Sequence, residues 1–130
     1  ELIVVIAIMA VLVGVLAPQL IKYVEKSREA TDIQTCDNIA TALKTYYADE
    51  EVAASATTTV TVTLGKTELG TVADTAVKDA GLTKAKIKGT KWTGDKITIV
   101  YNKADGTITY TGDSPYYHSD KDQFKKGPKS

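Results

Sequence analysis

The stretch ELIVVIAIMAVLVGVLAPQLIKYVEKSREA, residues 1–30, constrains everything that follows it. From Leu2 to Ile21 there is no charged side chain. Twenty such residues in a helix span about 30 Å, the thickness of a bilayer's hydrocarbon core. A core helix of a small domain is rarely apolar on all sides for five turns. A secretory signal would place basic residues ahead of the apolar core, where Glu1 stands here. Residues 1–21 are therefore expected to be a membrane-spanning helix.

Three residues of this segment stand apart. Glu1 puts a carboxylate at the edge of the apolar run, where burial is costly unless the charge is paired. It either rests in the headgroup layer or is neutralised by a cation of a partner chain once the segment leaves lipid. Gly14 and Pro18 lie four apart. In a helix the amide of residue 18 would bond the carbonyl of residue 14, and proline has no amide. Glycine adds backbone freedom at the same turn. Residues 14–18 are thus the expected weak turn, kinked or locally unwound, although a membrane helix also tolerates a proline kink without purpose.

After Pro18 the pattern becomes amphipathic without a linker. Ile33, Cys36, Ala40, Leu43 and Tyr47 recur at helical spacing, with Ile21 and Val24 starting the trend upstream. Lys22, Glu25, Lys26, Arg28, Glu29, Asp32 and Asp37 are assigned to the opposite, solvent-facing sides. Lys22–Glu25 and Glu25–Arg28 have the spacing of favourable i,i+3 pairs. One helix is expected from residue 2 to about 50, near 70 Å long at 1.5 Å per residue. Such a helix must protrude from its own domain, so lipid or other copies of the chain have to cover its first half.

Residues 22–130 form a small head that includes the amphipathic half-helix, 22–52. Residues 53–58 are small and polar and read as a loop. Thr59–Leu64, TVTVTL, alternates as a half-buried strand does. Glu68 to Ala80 has helical spacing and stops at Gly81. Lys84–Lys88, KAKIK, alternates again and suggests a strand or a lysine-protected edge. Lys96–Tyr101 and Thr107–Tyr110 flank a turn that ends in Gly106, which predicts a hairpin. In it Ile97, Ile99 and Tyr101 share a face, with Ile108 and Tyr110 opposite. The sheet thus covers 59–110. Residues 112–130 lack periodicity and read as an irregular tail with mobile last residues, KKGPKS. The fold class is α+β: a long helix on a small antiparallel sheet, with a short second helix.

Composition excludes several functions. The 130 residues balance 16 basic against 16 acidic groups, unlike a simple polyanion binder. A single cysteine, Cys36, rules out an intrachain disulfide and a cysteine zinc cluster, and suits a small buried hydrophobe. A single histidine, His118, rules out a histidine-rich metal site. No P-loop or GxGxxG occurs, and no nucleophile motif accompanies His118. Asp113, Asp120 and Asp122 do not follow EF-hand spacing. No catalysis, metal or cofactor is expected. Lys84, Lys86, Lys88 and Lys91 beside Trp92 are weak grounds for nucleic-acid binding, and none is expected. Residues 22–51 hold four basic and seven acidic groups, whereas 84–96 hold five lysines and one aspartate. That polarity serves solubility, or complementary contact between neighbouring copies.

Glu1-Leu-Ile-Val-Val-Ile-Ala-Ile, then Pro18 closing the apolar run, then a charged amphipathic helix, resembles the type IV pilin family. The likeness is close over about 1–35 and continues as architecture to 110. It implies a basic leader ending in glycine, cut by a prepilin peptidase, and an N-methylated first residue a few positions before the glutamate matched by Glu1. It implies a structural subunit held in the membrane, then polymerised through its apolar helix into a bacterial surface filament. The partners implied are other copies of the chain, membrane lipid, the peptidase and the pilus assembly machinery, with Glu1, Gly14 and Pro18 as the assembly residues. The alternative within the family is a pseudopilin of a type II secretion or DNA-uptake apparatus. A disulfide loop is common near the family's C-terminus; with one cysteine here, packing alone or a bound ion would hold that region. A monomeric membrane-anchored binding domain is the reading from a different class.

Overall fold

A computed structural model describes residues 1–48 and 58–127. Their fold is α+β. Helix α1 runs from Leu2 to Tyr46 without interruption, about 68 Å at 1.5 Å per residue. It closes on Tyr47, whose amide bonds the Leu43 carbonyl at 3.0 Å. The helix thus ends somewhat before the expected residue 50, and the loop expected at 53–58 lies outside the described residues except for Thr58.

The alternating stretches pair as their pattern requires. Strand β1 (Thr59–Leu64) lies antiparallel to β2 (Ile97–Asn102), and β2 to β3 (Ile108–Thr111), in the order β1-β2-β3. Tyr101 faces Ile108 and Ile99 faces Tyr110 across the expected hairpin. At its turn Gly106 adopts φ +75°, the left-handed region open to glycine. One face of the sheet collects Val60, Val62, Leu64, Ile97, Ile99, Tyr101, Ile108 and Tyr110, and α1 closes it with Cys36, Ile39, Ala40 and Leu43. Ile39, Leu43, Leu64, Ile97 and Ile99 are almost wholly withdrawn from water, each contributing roughly 1.5–3 kcal/mol. Ile33 and Tyr47 pack at the margin of this core, whereas Ile21 and Val24 are exposed and do not continue the stripe.

Three expectations are corrected. The helix expected over 68–80 breaks into a 3-10 turn, Gly70–Val72, and helix α2, Thr75–Asp79. Gly70 takes φ +60°, Ala73 is extended, and the Asp74 carboxylate caps the new start by accepting from the Ala76 amide at 2.9 Å. Gly81 ends α2 with φ +75°, as expected. The KAKIK segment, 84–88, is not a strand. Its Ile87 is buried and its amide bonds the Gly65 carbonyl at 2.9 Å, but no ladder follows. Residues 112–127 are not irregular, and the pair Lys125–Lys126 is not a loose end. Strand β4 (Tyr117–Asp120) pairs with β5 (Gln123–Lys126) in a second antiparallel hairpin. Its strands are four residues long, β4 half-buried throughout and β5 exposed except at Phe124, so they carry no alternation to read. Tertiary contacts hold it instead: the Tyr110 amide donates to the Lys121 carbonyl at 2.8 Å, the Ser119 amide to that of Gly112 at 2.8 Å, and Phe124 packs against Trp92 and Tyr110. Residues 128–130 of KKGPKS lie outside the described residues.

No residue before Ile33 belongs to the apolar core, and none before Glu25 is buried. A chain that begins at Lys22 should therefore be soluble, monomeric and folded. Circular dichroism and Trp92 fluorescence of that fragment in dilute buffer check this; an unfolded fragment would mean that residues 1–21 take part in the fold.

Candidate functional site

The apolar half of α1 rests on nothing in its own chain. Its most apolar window of 18 residues has a mean hydropathy of 2.7, and none of that window is buried. Among the described residues every exposed large apolar side chain falls between Leu2 and Val24, from 40% exposed at Val24 to 82% at Ile3. A contiguous apolar surface of this extent marks a membrane or protein contact. By length and composition this helix can cross a membrane.

The three residues singled out in the sequence all lie on this segment and do not converge. Glu1 caps the helix start through its carbonyl, which accepts from the Val5 amide at 3.2 Å, while its exposed side chain makes no capping bond. A methyl group added at Gly14 would meet nothing within 4 Å. Pro18 sits inside the uninterrupted helix and leaves the Gly14 carbonyl without its usual amide. Within one chain, then, neither Glu1 nor Gly14 is needed for packing.

The head-packed half of α1 holds a second feature, one that runs against the solvent-facing assignment of its acids. Glu25, Glu29 and Asp32 do not face solvent: they are 5%, 0% and 1% exposed. They extend the Cys36–Leu43 stripe upstream at spacings of 4, 3 and 4, so helical spacing was the available signal, overridden by their charge. Segment 88–92 crosses this face. Asp32 accepts from the Lys88 amide at 2.7 Å, the Gly89 amide at 2.8 Å and the Trp92 indole nitrogen at 2.8 Å. Glu25 accepts from the Thr90 amide at 2.6 Å, the Lys91 amide at 3.0 Å and the Thr90 hydroxyl at 3.0 Å. The expected Lys22–Glu25 and Glu25–Arg28 pairs do not form; the ion pairs among the described residues are Lys66–Asp95 and Lys125–Asp120. Charge-assisted bonds of this kind contribute about 1.5–3 kcal/mol each. Gly89 is required by the approach: a Cβ there would come within 2.8 Å of Glu29 Cγ and of the Trp92 indole nitrogen, and 3.0 Å of Asp32 Oδ2.

Glu29 lies between these two carboxylates in sequence, and both its oxygens lack a hydrogen-bond partner. Burial pushes its pKa up to about 7, and the charges of Glu25 and Asp32 add to the rise. The Ser114 hydroxyl opposes the shift, but it donates to the Tyr117 carbonyl at 3.2 Å and forms no bond to Glu29. An ionised carboxylate without partners is far costlier to bury than the neutral acid. Burial also works against ionisation of Glu25, yet the Thr90 and Lys91 amides and the Thr90 hydroxyl outweigh it and hold Glu25 below the ordinary carboxylate range.

Other candidate residues have structural partners. Trp92 is buried, edge-on to Phe124, and cannot stack on a base. Cys36 is fully buried, and burial pushes its thiol pKa far up, the opposite of an activated nucleophile. His118 Nδ1 lies 2.7 Å from the Gly127 carbonyl. Asp120 pairs with Lys125. Among the described residues no three histidine, cysteine or acidic side chains are placed to hold a metal ion. The acidic helix and the lysine-rich segment do meet, but within one chain and through backbone amides rather than lysine ammonium groups. Compared with models of protein families, with curated proteins and with solved structures, the chain gives no match in any of the three.

The Glu29 environment predicts a pH dependence. Its folded pKa, about 7, lies above the ordinary 4.5, so between these values the folded chain binds the extra proton. Stability is then greatest near pH 4.5 and falls by roughly 1–3 kcal/mol as pH rises to about 7. Glu25 has the opposite sign, and its contribution is lost as pH drops below 4.5. Urea unfolding followed by Trp92 fluorescence should show the neutral-side loss in the wild type and a flat profile in Glu29→Gln. A wild-type stability that does not change over this window would contradict the assignment.

Proposed function

We propose that this chain is the structural subunit of a type IV pilus-like filament, stored in a membrane through Leu2–Ile21 and polymerised through the same helix. The observation that carries this reading is the division of α1. Its first half is wholly exposed and apolar, and its second half is built into a head that packs without it. A helix divided in this way needs one environment while stored and can exchange it for neighbouring helices on assembly. The resemblance of residues 1–35 to type IV pilins supplies the chemistry. In the filament core the Glu1 carboxylate meets a cation, the N-terminal amine of a neighbouring copy. No catalytic activity and no cofactor belong to this reading, and the partners are further copies, lipid and the assembly machinery. Electron microscopy of sheared surface material, with identification of its main protein, tests it directly. Abundant chain in the membrane and none in filaments would favour a monomeric anchored domain.

Glu1→Ala should leave the amount of membrane-stored subunit unchanged, because the side chain is exposed and makes no capping hydrogen bond. Filaments should be abolished or strongly reduced, since loss of one member of a buried ion pair costs about 3–5 kcal/mol. Immunoblots of membranes set against filament counts make the comparison, and normal filament numbers would sink the pairing.

Gly14 and Pro18 give the assembled helix a means of adjustment. In lipid an unpaired carbonyl costs several kcal/mol, which keeps the segment helical apart from a kink. Among neighbouring helices about five residues can lengthen from 1.5 Å toward 3.3 Å each, adding roughly 9 Å. Non-helical backbone within about 12–20 is expected in a filament map. Gly14→Ala with Pro18→Ala restores the amide and raises helix propensity by about 1 kcal/mol at residue 14, and should alter the filament's rise or reduce its extension under load. Unbroken helical bonding through this segment in the wild-type filament would exclude the mechanism.

A further inference from the structure

The charges of residues 22–32 are mixed in sequence, three basic and three acidic, but the fold sorts them by face. Glu25, Glu29 and Asp32 turn into the head. Lys22, Lys26 and Arg28 stay outside, and Lys91 and Lys126 join them from the head. Two clefts flank the helix at this level. One, of about 530 Å³, is lined by Pro18, Ile21, Lys22, Arg28, Lys91 and Tyr116. The other, of about 380 Å³, is lined by Lys22, Lys26, Tyr116 and Lys126 among others. One acid, Glu25, reaches the first cleft, with its oxygens bonded to the Thr90 and Lys91 amides. Among the described residues none of the five cations is in an ion pair; Lys26 lies 5.4 Å from the centre of the Tyr116 ring.

The position of this collar along the helix selects its partner. Lys22 to Arg28 lie about 2–10 Å along the axis beyond Ile21, the last residue of the apolar run. The headgroup layer beyond the hydrocarbon is about 5–8 Å thick on each side, and the Debye length adds about 8 Å. Tyr23, 61% exposed, stands at the same level, where an aromatic ring with a polar tip sits well between lipid and water. We propose that this basic collar is a contact surface for the phosphates of anionic lipid headgroups on the membrane face where the head sits. The proposal rests on the reading that Leu2–Ile21 occupies a bilayer. In this arrangement the burial of the three acids does double duty, clasping segment 88–92 and leaving the membrane-proximal surface basic.

The test uses the full chain reconstituted in phosphatidylcholine bilayers with spin-labelled phosphatidylglycerol or phosphatidylcholine as the probe. The motionally restricted fraction should favour phosphatidylglycerol by about two-fold or more at about 20 mM salt, and the preference should disappear near 500 mM. The variant Lys22→Gln/Lys26→Gln/Arg28→Gln should lose the preference while still floating with neutral vesicles. The salt dependence of the wild type gives the same answer if that variant fails to fold. A preference that survives both charge removal and high salt overturns the collar. Sodium phosphate and sodium chloride at matched ionic strength should act equally; selective displacement by phosphate would make this a site for a free anion and overturn the lipid assignment. Failure of the wild type to float with neutral vesicles overturns the membrane reading and the collar together, whereas flotation without lipid preference overturns the collar alone.

Discussion

Asp32 accepts three hydrogen bonds from one crossing segment, the Lys88 and Gly89 amides and the Trp92 indole, and much of the head is arranged around that contact. The carboxylate ties helix α1 to a stretch that lies in neither sheet. It also fixes the Trp92 ring, against which Phe124 packs edge-on. Phe124 in turn carries the β4–β5 hairpin onto Tyr110 of β3. Cys36 is free and buried; packing and hydrogen bonds that trace back to a buried aspartate anchor residues 112–127.

The same contact has an electrostatic cost. Placing three acids on one buried face leaves Glu29 without a partner, and the fold accommodates it by favouring its neutral form. A fully partnered Asp32 and Glu25 beside an unpartnered Glu29 forms a group in which two charges are solvated by amides and the third is suppressed. Desolvated carboxylates are tolerated in such a place only because segment 88–91 presents successive N–H groups at hydrogen-bonding distance. Gly89 permits the approach, since any side chain there would occupy the space of Glu29 and Trp92.

Inward rotation of the acids also determines what the outside of the helix offers. From Leu2 to Ile21 the surface carries no charge and is almost wholly apolar, and at Lys22–Arg28 it is basic. One uninterrupted helix therefore presents three surfaces in succession, suited to hydrocarbon, to a charged interface and to a protein core. The absence of a linker between them makes the orientation of the head follow from that of the span, apart from any bend at Gly14–Pro18.

The structure that can be read from neighbouring residues alone is local. An uncharged run of twenty residues, a helical stripe, alternating TVTVTL and KITIVY, and a turn ending in Gly106 each encode their structure through periodicity or backbone freedom within a few neighbouring residues. Those patterns place α1, the strands of the three-stranded sheet and its hairpin correctly. The burial of Glu25, Glu29 and Asp32, the use of Trp92 and the second hairpin depend instead on contacts between distant parts of the chain. Charge predicts exposure unless partners are supplied, and here the partners lie 56 to 66 residues away in the chain. The β4–β5 strands are too short, and too little buried, to show a pattern of their own. Their pairing depends on an edge and an aromatic cluster that exist only once the helix, the crossing segment and the sheet have come together.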